Sequence, residues 1–141
     1  MRAQDLIVIV TSAGTEEQAL DIAHAIIRAR QAACVNLLPN VHSIYRWKGR
    51  ICDDGEFLLL IKTQAKQFEN VRDTIHKVNT YELPEILAYR VDDASPGFAN
   101  WISKVTEPTK RRVVRGPRPV PGKRRAAVSG SRRGRSELQV S

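Results

Sequence analysis

Leu6-Ile7-Val8-Ile9-Val10 and Phe57-Leu58-Leu59-Leu60-Ile61 are each apolar on five consecutive residues. Successive side chains of an extended chain point to opposite faces, so such runs call for cover on both sides. A half-buried surface strand would alternate instead. Any fold for this chain must therefore supply a layer above these strands and another below them.

The elements around the two runs define an order. LIVIVTS (6–12) is β-branched and reads as a strand. Thr15 and Gln18 have the spacing of a capping box, and Ala19, Ile22, Ala23 and Ile26 recur at helical spacing, predicting a helix to about Arg30. AACVNLL (32–38) reads as a second strand, bent at Pro39-Asn40 before VHSIYRW (41–47) resumes. Lys48-Gly49 supplies a two-residue turn, and 50–63 returns, with Asp53-Asp54-Gly55 expected as a bulge or bend. Phe68, Val71, Ile75 and Val78 form one helical stripe, which ends near Asn79 ahead of Pro84. EILAYRV (85–91) is a strand, and a last helix from about Ser95 carries Phe98, Trp101, Ile102 and Val105.

The resulting β-α-β-β-α-β-α order is an α+β class, a ferredoxin-like βαββαβ sandwich with an extra C-terminal helix. Two helices on one face of such a sheet leave its other face open. Other copies of the same sheet are expected to cover it, with the long 41–62 hairpin reaching to a neighbour in a closed homo-oligomer.

Charge divides the chain in two. Residues 1–106 hold 12 Lys+Arg against 13 Asp+Glu, whereas 107–141 hold 11 against 2. The formal +8 therefore belongs to the end of the chain and not to the domain, expected over 1–106. Residues 107–141 carry four Pro, four Gly and no aromatic residue, so they are expected to be a basic, disordered tail. With no aromatic residue to stack on bases, nucleic acid is a minor candidate partner for it. The apolar run at 6–10 is too short for a secretory signal, and nothing reaches the length of a membrane span. Two cysteines suit a reducing compartment, so the chain is expected in the cytoplasm and not at a membrane.

Catalytic constellations are scarce. The sequence has no CxxC, HxxxH or GxSxG and no phosphate-cradling glycine loop, and no catalytic residues are assigned. His24, His42 and His76 are dispersed over a helix, a strand and a helix. If Lys48-Gly49 is a two-residue turn, Cys52 faces Tyr45 and Cys34 falls opposite Thr63, too far apart for a disulfide. Cys34 is then expected as a small core residue and Cys52 as the more exposed thiol. In NTYELPE (79–85), Glu82 and Glu85 are an odd number apart in a segment that Pro84 extends. They point to opposite faces, which argues against a two-carboxylate dyad. Tyr81 and one glutamate could instead line a pocket between subunits with Lys62 or Trp47.

AACVNLLPNVHSIYRWKGRI, EFLLLIKT, YELPEILAYRV and NWI, in order over about 6–105, together resemble the CutA family of divalent-cation tolerance proteins. The resemblance implies a ferredoxin-like subunit, a homotrimer, no enzymatic activity, a cytoplasmic location and a link to copper and other divalent metals. It also implies an architecture similar to the PII signalling proteins, which take ligands in clefts between subunits. Tyr81, Glu82 and Glu85 match the family's cleft, with Cys34, Trp47 and Lys62 nearby. The family's usual motif opens with histidine where this chain has Asn79, a poor ligand for Cu(II) beside imidazole. A metal is then expected to lean on Cys34, Cys52 or Glu82, and Asn79→His to strengthen copper affinity. A small anionic ligand beside Lys62 is the alternative cleft occupant.

Overall fold

The computed structural model describes residues 5–108. Most of the expected basic tail, from residue 109 on, lies outside the described residues. The element order is β1 (Leu6–Ala13), α1 (Glu16–Arg28), β2 (Cys34–Trp47), β3 (Arg50–Gln64), α2 (Phe68–Val78), β4 (Leu87–Arg90) and α3 (Pro96–Val105). A single 3₁₀ turn, Ala65–Gln67, leads from β3 into α2. The four strands form one sheet in the order β2-β3-β1-β4, every neighbouring pair antiparallel. The α+β, βαββαβα arrangement expected from the sequence is present in the subunit. Among the described residues no helix is long and apolar enough to cross a membrane.

Helices α1 and α2 cover one face of the sheet. Ile7 and Ile9 of β1 and Leu59 and Ile61 of β3 meet Ile22 and Ile26 of α1 and Val71 and Ile75 of α2 in one buried cluster. Each such side chain contributes about 1.5–3 kcal/mol on leaving water, which is what holds the two layers together. Helix α1 begins as its sequence predicts, with Thr15 Oγ1 accepting from the Gln18 N–H at 3.1 Å. It ends with Arg30 in the left-handed region (φ 59°), where Arg30 N–H bonds Ile27 O and Gln31 N–H bonds Ile26 O.

The long hairpin turns at Lys48-Gly49, both at positive φ (52° and 79°), as a two-residue turn requires. Of the two irregularities expected, the one at Pro39-Asn40 is present and the one at Asp53-Asp54-Gly55 is not. Asp53, Asp54 and Gly55 pair in step with Ile44, Ser43 and His42, while the register slips between Leu38 and Val41. Pro39 has no N–H to give to the ladder and Asn40 adopts φ 60°, so the extra residue is accommodated there. The slip moves Cys34 opposite Lys62 instead of Thr63. Cys34 is half-buried and not a core residue, and so is Cys52, which faces Tyr45 as expected; neither forms a disulfide.

The other sheet face is only partly covered. Helix α3 closes one end through Leu6, Ala99 and Ile102, packed with Ala33, Val91 and Ala94. Its buried side is thus Ala99 and Ile102, whereas Phe98 and Trp101 remain exposed and stack at 5.5 Å. Across the rest of this face run two rows of paired residues: Cys34, Lys62, Val8 and Tyr89, then Asn36, Leu60, Val10 and Leu87. Val8, Val10, Leu58 and Leu60 are half-buried here, and Leu87 and Tyr89 are 50% and 56% exposed.

Candidate functional site

At the far end of that face, the 79–85 segment lies against the hairpin. Asn79 follows α2 in an extended conformation and is only 8% exposed. Its Nδ2 donates to the Ser12 carbonyl at the end of β1 (3.0 Å), and its Oδ1 accepts from the Tyr81 N–H (2.8 Å). Gln18 reaches the same segment from the first turn of α1. Its Nε2 donates to Val78 O (3.1 Å) and its Oε1 accepts from the Thr80 N–H (3.2 Å). The capping box is therefore half realised: the Thr15 hydroxyl caps α1 by accepting from the Gln18 N–H, while the Gln18 side chain ties down the end of α2.

Held in this way, Tyr81 donates its phenol to Glu56 Oε2 at 2.6 Å, and Ser12 Oγ donates to the same oxygen at 3.3 Å. Glu56 is itself buried at 9% exposure. Burial, then the Glu56 hydrogen bond and charge, push the Tyr81 phenol well above the ordinary tyrosine range. Glu85 is also raised, first by desolvation and then by the Glu56 charge. Beside them the Tyr45 hydroxyl donates to Asp54 Oδ2. The arrangement is a row of hydroxyls hydrogen-bonded to carboxylates, Tyr81 and Ser12 to Glu56 and Tyr45 to Asp54.

The structure brings some of the expected cleft residues together and separates others. Tyr81 and Glu85 both face Glu56, whereas Glu82 lies toward the hairpin tip, 3.6 Å from Lys48 Nζ. Glu82 and Glu85 thus have different neighbours, Lys48 for the one and Glu56 for the other. Trp47 is at the same tip, under the Lys48 ammonium at 5.6 Å. Lys62 belongs to the other end of the open face, with its ammonium 6.0 Å from the Phe98 ring. Within one chain, then, Lys62 and Tyr81 do not line a common cleft.

The expected metal set fares similarly. Cys34 pairs with Lys62, and Cys52 lies ten residues away along β3, on the order of 33 Å at strand rise. Glu82 is engaged with Lys48. Among the described residues no three His, Cys, Asp or Glu side chains gather as a metal set. The Asn79 carboxamide is already used at both ends. One chain by itself does not fit a resident copper or other divalent ion.

Sequence reasoning passed over Glu56, Ser12, the side-chain role of Gln18 and the internal role of Asn79. A signal for Glu56 existed, as the one carboxylate that opens an otherwise apolar run, EFLLLI. Ser12 carried none, and Gln18 signalled only its place in the cap of α1, because the partners of these side chains lie 44 and 60 residues away.

The model of the CutA1 divalent ion tolerance protein family matches residues 7–105. Protein CutA of Mus musculus is 41% identical over 92 residues, 65% of this chain and 52% of its own length. The divalent-cation tolerance protein CutA of Thermus thermophilus is 35% identical over 99 residues, 70% of this chain and 96% of its own. The chain thus spans about half the length of the mouse relative and nearly all of the bacterial one. Among solved structures, CutA from Xylella fastidiosa has a TM-score of 0.71 at 32% identity, covering 73% of this chain and 99% of that one. Sequence, fold and the extent of the match agree: the chain belongs to the CutA1 divalent ion tolerance family.

Proposed function

We propose that the chain assembles as a homotrimer and serves, without enzymatic activity, in divalent-cation tolerance in the cytoplasm. The observation that carries this reading is the family match across residues 7–105, together with a Thermus thermophilus relative named for divalent-cation tolerance. The half-exposed row of Val8, Val10, Leu58, Leu60, Leu87 and Tyr89 supports assembly, since apolar surface of this kind is what copies of a chain bury. Copper or another divalent metal would bind weakly or between subunits, because no single chain gathers three donors among the described residues. Cys34, Cys52 and Glu82 remain the donors to test.

Lys62 favours a second reading, in which a cleft between subunits takes a small anion in the manner of PII proteins. The Lys62 ammonium lies on the open face beside the Phe98 ring, and no ion pair involves it among the described residues. Glu85, Tyr81 and Trp47 would then come from a neighbouring copy.

Native mass spectrometry of the full chain with and without Cu(II) tests the first reading. A trimer taking up a fixed small number of ions is expected. A monomer removes the assembly, and a metal-free trimer turns the cleft over to anions, read as thermal stabilisation by nucleotides or organic acids.

A further inference from the structure

We propose that Asn79 is the positioning residue of the 79–85 segment, setting Tyr81 as the hydrogen-bond donor to Glu56, and is not itself a ligand-binding group. The inference deepens the cleft reading and rests on 79–85 facing whatever the cleft takes.

Three observations carry it. Asn79 sits at the point where α2 ends and the chain turns extended, so two consecutive N–H groups, those of Thr80 and Tyr81, lose helical acceptors. Both are recovered by carboxamide oxygens, Thr80 by Gln18 Oε1 and Tyr81 by Asn79 Oδ1. The other end of each carboxamide is spent on a carbonyl, Gln18 on Val78 O and Asn79 on Ser12 O. Ser12 is the hinge of the arrangement: its carbonyl receives Asn79, and its own hydroxyl reaches the Glu56 oxygen that Tyr81 also reaches. Fixing Asn79 on Ser12 thereby fixes the Tyr81 backbone relative to the Glu56 carboxylate. Both polar ends of the Asn79 carboxamide are engaged within the chain, and its burial removes it from solvent.

A histidine in this place could keep one contact only. An imidazole N–H can donate to Ser12 O, yet the acceptor for the Tyr81 N–H is then lost, because the two ring nitrogens diverge. The exchange Asn79→His therefore trades the hold on Tyr81 for a free ring nitrogen; it is not a simple gain of a ligand.

The test uses hydrogen exchange of the full-length protein, read at the amides of residues 80 and 81, with Asn79→Ala, Asn79→Asp, Tyr81→Phe and the double variant. Asn79→Ala is expected to speed exchange of the residue-81 amide roughly tenfold, as loss of one hydrogen bond implies, with the Ile22 and Ile75 amides unchanged. Asn79→Asp keeps the acceptor for the Tyr81 N–H but loses the donor to Ser12 O, so protection at residue 81 is expected to return only in part. In the urea midpoints, Tyr81→Phe should cost less in the Asn79→Ala background than in the wild type, because the phenol is then already released. Unchanged exchange at residue 81, or additive midpoints, overturns the proposal. If Asn79→Ala does not fold, Asn79→Asp alone decides: exchange at residue 81 as slow as in the wild type, despite the lost donor to Ser12 O, is the overturning result. None of these measurements needs a metal, an anion or a trimer, so failure of the cleft reading would show separately in ligand binding.

Discussion

The phenol of Tyr81 and the carboxylate of Glu56, 25 residues apart in the chain, meet at 2.6 Å where the end of the four-stranded sheet passes into the free hairpin. Neither belongs to an element that would bring it there unaided: Glu56 is on β3, and Tyr81 follows α2 in a segment without regular structure. Removing the donor leaves a buried carboxylate with only the longer Ser12 contact at 3.3 Å. Tyr81→Phe is expected to destabilise the protein by about 1–2 kcal/mol, the cost of a lost bond to a charged acceptor. Urea denaturation at fixed protein concentration measures it.

Glu85 gives a pH dependence of definite sign. Desolvation and the Glu56 charge raise its carboxyl above the ordinary range, so the folded state holds this proton more tightly than the unfolded chain does. Its contribution is present below the ordinary carboxylate pKa and is lost as pH rises through the raised value. Glu85→Gln should therefore raise the Tm relative to wild type at neutral pH and lose that advantage near pH 4. A Tm difference that is larger in acid than at pH 7 contradicts this assignment.

Thr11 predicts a stabilising substitution. Its side chain is fully buried, and its Oγ1 has no hydrogen-bond partner among the described residues. Valine has nearly the same shape and leaves no polar atom without a partner. Thr11→Val is expected to add about 1 kcal/mol, seen as an unchanged m-value with a higher urea midpoint.

Thr106 predicts the reverse. Its hydroxyl accepts from Gln64 Nε2 at 2.7 Å and donates to Ile102 O at 2.7 Å, and both Thr106 and Gln64 are buried. Thr106→Val leaves the Gln64 amide with a long contact to Ser103 O and should cost about 1–3 kcal/mol. Since this contact docks the end of α3 on β3, exchange should rise first at the α3 amides.

Much of this protein is local in its sequence. Thr15 and Gln18 mark the start of α1, the Phe68-Val71-Ile75-Val78 stripe marks α2, and Lys48-Gly49 sets a two-residue turn; all are found where spacing puts them. Periodicity and caps act over three or four residues, so the chain by itself determines them. The resemblance to the CutA family rests on contiguous strings too, AACVNLLPNVHSIYRW and YELPEILAYRV among them.

What only the tertiary structure decided is which side chains meet. Pro39-Asn40 marked a bend in the sequence, but that the bend would insert one extra residue and move Cys34 opposite Lys62 was decided only by the pairing of the folded strands. Asn79 looked like a vacant ligand position while it was read beside its neighbours; folded, it is a buried tie to Ser12, 67 residues earlier. Glu56, passed over in the sequence, became the centre of the site. Local spacing reports the energy of a turn or a helix face, but a buried hydrogen bond between distant residues has its energy only after the sheet and helices have closed around it and removed the water that would otherwise satisfy both partners.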